Sequence, residues 1–421
     1  MYICNMRKYF VFAAAALVAL SACNKNGREP GGNTVDNQVT TMPAWMVDET
    51  LPVPIQMGEQ GVLETKGAAI ADLDGLVYNV IALRESDNEV MAGFSGGVRA
   101  RNIPGSPDSA TGDNLTGQTV VQFLDSDGTT PVTKYYPYLY SDGTFNFYGY
   151  RIGADAPSLS GTSINVELGD NDLLWAKAEA LASDETAARA GNTSVGRDYE
   201  SNGFSARYIR GIRREYVTNN GSMENYIAAL PHLNFQHITS QLQFFIKAFD
   251  TIAENTLNAV GASVSVASIT IGGTDTEYPT ASPIAKTANL NILNGELTQV
   301  TSGTLSVSNI ADDFSITEDG AVCGDPLFIR PFTGNILLNM ALTLPDGTNQ
   351  TIKTVLEAPA IAESGTPGQP GYHPAVQAGR FEANYVYKFT ISLESIEKIN
   401  IVTTLSPWGP VIEPAAPTVI D

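Results

Sequence analysis

Cysteine is nearly absent from this chain: Cys4, Cys23 and Cys323 are the three present in 421 residues. Cys4 and Cys23 lie at the start, in a segment patterned as an export leader, whose processing would remove the first and modify the second. Cys323 is then left without a partner, so no internal disulfide is expected and stability must come from hydrophobic burial. In Ala321-Val322-Cys323-Gly324 it reads as a buried packing residue. Histidine is as scarce, at His232, His237 and His373. His232 and His237 stand five apart, which places them on opposite faces of a regular strand and argues against paired metal ligation. There is no His-Glu-x-x-His, no Gly-x-Ser-x-Gly elbow and no phosphate-binding loop. A Ser-His-Asp arrangement is left open by sequence alone, but no motif points to one. The expectation is a non-enzymatic chain with no cofactor and no metal. Charged residues make up 16%, and the formal net charge is -21. An excess of that sign excludes nucleic acid and anionic membrane surfaces as natural partners.

Long apolar runs are also missing, with one short exception. Arg7 and Lys8 precede an uncharged apolar run over residues 9–20, followed by Ser21, Ala22 and Cys23. A run of this length suits the central region of a signal peptide, roughly 7–15 residues, whereas a spanning helix needs about 20. The plain alternative is an ordinary secretory signal beside a chance cysteine. Leu20-Ser21-Ala22-Cys23, however, resembles the bacterial lipobox, in which the thiol is acylated and the chain is cut just before it. Residues 1–22 are thus read as a lipoprotein signal peptide and Cys23 as the lipidation site. Met6 is an alternative start, which would place Cys4 outside the protein. Residues 23–41 are polar, rich in Gly and Asn, and read as a flexible tether.

From residue 42 onward the chain is patterned for β-structure. Tyr385-Val386-Tyr387-Lys388-Phe389-Thr390-Ile391-Ser392-Leu393 has an apolar residue at every odd position, and 76–83 and 144–150 alternate similarly. Asp-Gly and Asn-Gly pairs punctuate such runs, among them Asp74-Gly75, Asp127-Gly128, Asn294-Gly295, Asp319-Gly320 and Asp346-Gly347. They suit the positive φ angles of tight turns. The predicted fold class is all-β, built of antiparallel sandwiches. The best boundary is Leu230-Pro231, giving an N-terminal sandwich over 42–230 and a C-terminal one over 231–421. Asp172-Leu173-Leu174-Trp175-Ala176 reads as a strand end or turn. The stretch 191–221, with Arg197, Arg207, Arg210, Arg213 and Arg214, reads as a solvated connection open to proteolysis.

Two clusters invite a binding role. Asp125-Ser126-Asp127-Gly128 superficially matches the start of a calcium loop but lacks the further oxygen ligands, so a hairpin turn is the better reading. Tyr135-Tyr136-Pro137-Tyr138-Leu139-Tyr140 with Phe145-Asn146-Phe147-Tyr148-Gly149-Tyr150 could stack on sugars, although alternate aromatic residues more often fill a core.

Taken in order, several segments resemble the fimbrillin family of Bacteroidales, the subunits of type V pili. They are Cys23-Asn24-Lys25-Asn26, Glu64-Thr65-Lys66-Gly67, the aromatic segments above, Asn171-Asp172-Leu173-Leu174-Trp175-Ala176, His237-Ile238-Thr239-Ser240-Gln241-Leu242-Gln243-Phe244, and the closing stretch from Gly379-Arg380-Phe381 to Trp408. The resemblance implies two transthyretin-like antiparallel Greek-key β-sandwich domains in tandem. It also implies delivery to the outer membrane through lipid on Cys23 and later display in a surface fimbrium supporting cell adhesion. A trypsin-like protease removes the N-terminal segment, and a strand from another pilin subunit fills the groove that is exposed. Lys66 stands where the family usually carries an arginine at the cut, and Arg28 is the other candidate. The donor strand is sought at Ile396, Ile399, Ile401 and Leu405, or in the tail at Val411 and Ile412, where Pro414 and Pro417 weaken the pattern. The implied partners are other pilin subunits in the shaft or at the tip, the outer membrane, and a host or bacterial surface ligand. The alternative is a surface glycan-binding lipoprotein using the Tyr/Trp clusters.

Overall fold

The computed structural model describes residues 44–48, 50–59, 76–105, 107–108, 113–114, 119–137, 143–153, 159–179, 203–218, 230–259, 262–312, 314–363 and 374–407. The leader, the tether, Cys23, Arg28, Lys66, Val411 and Ile412 lie outside them. The chain is all-β, in several largely antiparallel sheets, and the described residues include short helices at Ala44–Val47, Ala206–Thr218 and Thr251–Leu257.

In the first sheet, Tyr78–Arg84 pairs on one side with Val98–Pro104 and on the other with Phe145–Arg151. Thr119–Phe123 continues it beyond Val98–Pro104, and Leu174–Glu179 beyond Phe145–Arg151. The residues expected as a strand end at 172–176 therefore enter a central strand. His232–Leu233 lies parallel to Gly58–Glu59 and antiparallel to Leu174–Glu179. Because Gly58–Glu59 also pairs with Thr119–Phe123, the hydrogen-bonded path returns to its start and the sheet closes on itself. Gln236–His237 adds to the same sheet, so pairing runs straight through the expected boundary at Leu230-Pro231. Inside, Phe94, Phe123, Tyr136, Phe147, Phe204 and Tyr208 pack largely edge to face, with centroids 5.7–6.2 Å apart.

From Ser240 onward two sheets face each other. One contains Ser240–Ala248 parallel to Tyr385–Leu393, with Ile399–Pro407 antiparallel at its edge. The period of two predicts which residues point inward, and Leu242, Phe244, Ile246, Tyr387, Phe389 and Ile391 are buried. The other runs Asn349–Leu356, Ile336–Thr343, Ser265–Gly272, Leu297–Ser306, Ile284–Asn291. Cys323 is fully buried between them, where burial pushes its thiol up to about 12. It is a packing residue, as expected.

The second of these sheets has a sixth strand, Ser163–Glu167, contributed from the N-terminal half of the chain. Around it Ile164, Val166, Leu168, Ile81 and Tyr150 pack against Ala288, Leu290 and Ile292, a core shared by both halves. Trp175 crosses the same joint, its indole Nε1 donating to the Ile292 carbonyl at 2.8 Å. The Asn294-Gly295 turn lies under that indole: Gly295 has φ +74°, and a Cβ there would come 2.7 Å from Trp175 Cδ2. Gly295→Ala is thus expected to destabilise the protein by about 1–3 kcal/mol, read as a lower urea midpoint with unchanged slope.

Candidate functional site

Residues 51–59 form an inserted segment rather than a surface loop. Val53, Ile55 and Met57 are buried at alternate positions, as a strand requires, and Trp45 is buried upstream. The segment is held by main chain on three stretches. Tyr136 N–H donates to the Val53 carbonyl at 2.9 Å, and Ile55 N–H donates to Lys134 at 2.8 Å. Further on, Val121 N–H donates to Met57 at 2.9 Å, and Gly58 N–H to Pro231 at 3.0 Å. It thus occupies a slot between Thr119–Phe123, residues 131–137 and His232–Leu233. A cavity of about 220 Å³ runs beside it, lined by Ile55, Met57, Ile103, Val121, Phe123 and Val132.

The slot has a clamp at its N-terminal end. Ser205 Oγ accepts from Tyr208 N–H at 3.1 Å and caps the helix Ala206–Thr218. That helix buries Tyr208, Ile209 and Ile212 on one face and brings Arg210 into the interior, 2% exposed. Arg210 Nε donates to the Trp45 carbonyl at 3.0 Å, and Nη2 donates to the Leu51 carbonyl. Arg213 is fully buried as well. The reading of this basic stretch as a solvated connection is therefore corrected for Arg210 and Arg213. Charge suggested a surface, but the Arg210 guanidinium donates to two backbone carbonyls, which makes its burial tolerable.

At the other end His232 lies directly against Gly58, where a Cβ would meet its ring at 2.3 Å. Burial holds the His232 imidazole below its ordinary range, partly offset by its 2.8 Å bond to the Leu230 carbonyl. A histidine pKa depressed on folding means the unfolded chain binds more protons between the folded value and the usual 6.5. Stability is therefore present above pH 6.5 and is lost as pH falls from there toward the folded value. Lowering pH from 7.5 to 5.5 should loosen this end of the slot, seen as faster amide exchange at Gly58. His232→Gln should flatten that pH dependence.

The other candidates fall elsewhere. His237 bonds Asp172 Oδ1 at 2.8 Å, a partner His232 does not share. Asp127 accepts from the N–H groups of Thr129 and Thr130 and from the Thr130 hydroxyl, which holds its carboxyl well below the usual range. Its oxygens serve a hairpin turn. In the aromatic cluster Tyr136, Phe145, Phe147, Tyr148 and Tyr150 are buried, while Tyr135 is 47% exposed. Core packing, not a row of open rings, accounts for the described part of that cluster. Ile399, Ile401 and Leu405 lie half-buried along the edge strand Ile399–Pro407, with Ile396 just before it, all packed on the second core. These candidate donor residues are not brought together with the slot at 51–59. Arg210 was missed, although Ser205 followed by apolar residues at helical spacing was a legible signal.

No protein-family model matches this sequence, and no curated protein matches it. Among solved structures, it is similar to a proposed cell adhesion protein of Bacteroides uniformis, with 13% identity and TM-score 0.43 over 85% of this chain and 98% of that one. It is also similar to the tip fimbrial protein Mfa3 of Porphyromonas gingivalis, with 10% identity and TM-score 0.32 over 85% and 99%. The fimbrial anchor protein Mfa2 of the same organism gives 8% identity and TM-score 0.31 over 85% and 98%.

Proposed function

We propose that this chain is a fimbrillin-like subunit of a surface filament, structural or adhesive, that assembles by exchange of an edge strand. The observation that carries the reading is the segment 51–59, which is inserted between other strands through its own main chain and continues into residues 60–75, where Lys66 lies. A cut after Lys66 would leave that segment held by non-covalent bonds alone. Its departure would uncover unpaired N–H and C=O groups on Thr119–Phe123 and 131–137, together with the pockets of Val53, Ile55 and Met57. An incoming strand with apolar residues at alternate positions meets both demands. Ile399, Ile401 and Leu405 have that spacing, and 408–421 is the other source. A contact of one subunit's terminal strand with another's slot does not close, so it propagates as a fibre. In this reading Cys23 carries the lipid that delivers the subunit to the outer membrane, and the cut separates it from that anchor.

Limited trypsin digestion of the full chain tests this. Cleavage after Lys66 followed by ladders that survive SDS is the expected result. A trimmed protein that stays monomeric at high concentration would exclude assembly by this route. The burial of the aromatic cluster gives a glycan platform no comparable support.

A further inference from the structure

The last described strand, Ile399–Pro407, lies at a sheet edge. Sheet edges need protection because their unpaired main chain accepts any passing strand. The other edges of this sandwich have it. Ala321–Val322 is short, Ser163–Glu167 ends in a charge, and Asn349–Leu356 carries Lys353, held by Asp275 at 2.8 Å. That last edge is also covered by Tyr278, whose hydroxyl donates to the Lys353 carbonyl at 2.8 Å. Ile399–Pro407 has none of these devices. It is 9 residues long, pairs with Tyr385–Leu393 without a bulge, and holds no charged residue. Among the described residues, no strand pairs with its outer side.

The hydrogen-bond parity of that edge follows from the hairpin. Glu394 N–H donates to the Lys398 carbonyl at 2.9 Å, so positions 394 and 398 form a hydrogen-bonded pair. Alternation then turns the main chain of Asn400, Val402, Thr404 and Ser406 toward Tyr385–Leu393. The N–H and C=O groups of Ile399, Ile401, Thr403 and Leu405 face outward. On the outer face of the sheet, the register places Val322, Phe245, Thr390 and Val402 in one row. That row is apolar but for Thr390 and ends at Val402, which is 53% exposed.

We propose that this edge pairs antiparallel, about a two-fold axis, with the same strand of a second copy. Two-fold pairing keeps odd positions opposite odd ones, so with the axis at Val402 the main chain of Ile401 meets Thr403 of the second copy. The two Val402 side chains then meet, and the exposed row continues across the axis. The charge distribution favours a second copy over a charged partner. The chain carries -21 overall, and this neutral strip is a place where two copies approach without opposing charges on the paired strands. The chain's own tail is a poorer occupant, because Pro410, Pro414 and Pro417 lack the N–H donors that a ladder requires.

Sedimentation velocity on the uncut full chain, from about 1 to 200 µM, tests the proposal. The expected result is a reversible dimer that dissociates in SDS. Val402→Lys would set two ammonium groups face to face, and Thr403→Pro would remove an outward N–H without touching the ladder to Tyr385–Leu393. Each should raise the dimer midpoint by at least about tenfold while circular dichroism stays unchanged. If Thr403→Pro perturbs the fold, Val402→Lys alone decides. A wild-type monomer throughout the range overturns the proposal, and so does a dimer indifferent to Val402→Lys. Strand exchange differs in needing the cut after Lys66 and in surviving SDS, so each reading fails on its own result.

Discussion

Arg210→Met is expected to lower stability by about 3 kcal/mol and to make residues 44–59 the first part of the fold to open. The methionine keeps the apolar stem but withdraws the donors from the Trp45 and Leu51 carbonyls. Each buried acceptor left without its donor costs about 1–3 kcal/mol. Removing a desolvated charge offsets part of the loss, which is why the sum falls below two full penalties. Urea unfolding followed by circular dichroism should show a lower midpoint at constant slope. Hydrogen exchange should show the larger change at Ile55 and Gly58, whose amides donate to Lys134 and Pro231, since their segment loses one of its fastenings. Arg210→Lys should recover only part of the loss, because an ammonium on a flexible stem does not reproduce a fork that reaches two carbonyls. An unchanged midpoint in Arg210→Met would mean that the main-chain bonds to 121, 134, 136 and 231 hold the segment alone.

What could be read in advance divides along physical lines. The alternation in 385–393 gave both the strand and its buried face, because a period of two is a local property of the chain. The Asn294-Gly295 pair gave a turn, for φ is local too. Arg210 was misjudged because charge is a weak guide to exposure when carbonyls lie within reach of a guanidinium. Nothing local could tell that Val53, Ile55 and Met57 would be inserted between strands more than 60 residues away in sequence. Which strands flank them is set by long-range pairing. The shared core was hidden for a related reason. Ile164, Val166 and Leu290 look like any inward residues of their own halves, and the sequence does not say that they meet one another.

That shared core leads to the second large effect. Leu290 is fully buried and lies opposite both Ile164 and Leu297 in the ladder. Leu290→Ala should cost about 2–5 kcal/mol, from lost transfer energy and the cavity left behind. The more informative outcome concerns cooperativity. Two sandwiches joined by a linker unfold independently, whereas here Ser163–Glu167 is a strand of the sheet belonging to the other half. Opening either half therefore exposes Ile164, Val166, Ala288 and Leu290 together, so the wild type should unfold in one transition. Trp175 reports on the joint through its bond to Ile292, and with Trp45→Phe and Trp408→Phe as background its fluorescence should coincide with circular dichroism in urea. In Leu290→Ala the fluorescence midpoint should fall below the circular dichroism midpoint, because the joint loses packing that neither half's own core supplies. The shared strand and core couple the two halves through packed side chains rather than through the chain alone. Coincident, unshifted transitions in Leu290→Ala would show that the ladder with Ser163–Glu167 carries the joint without the core beneath it.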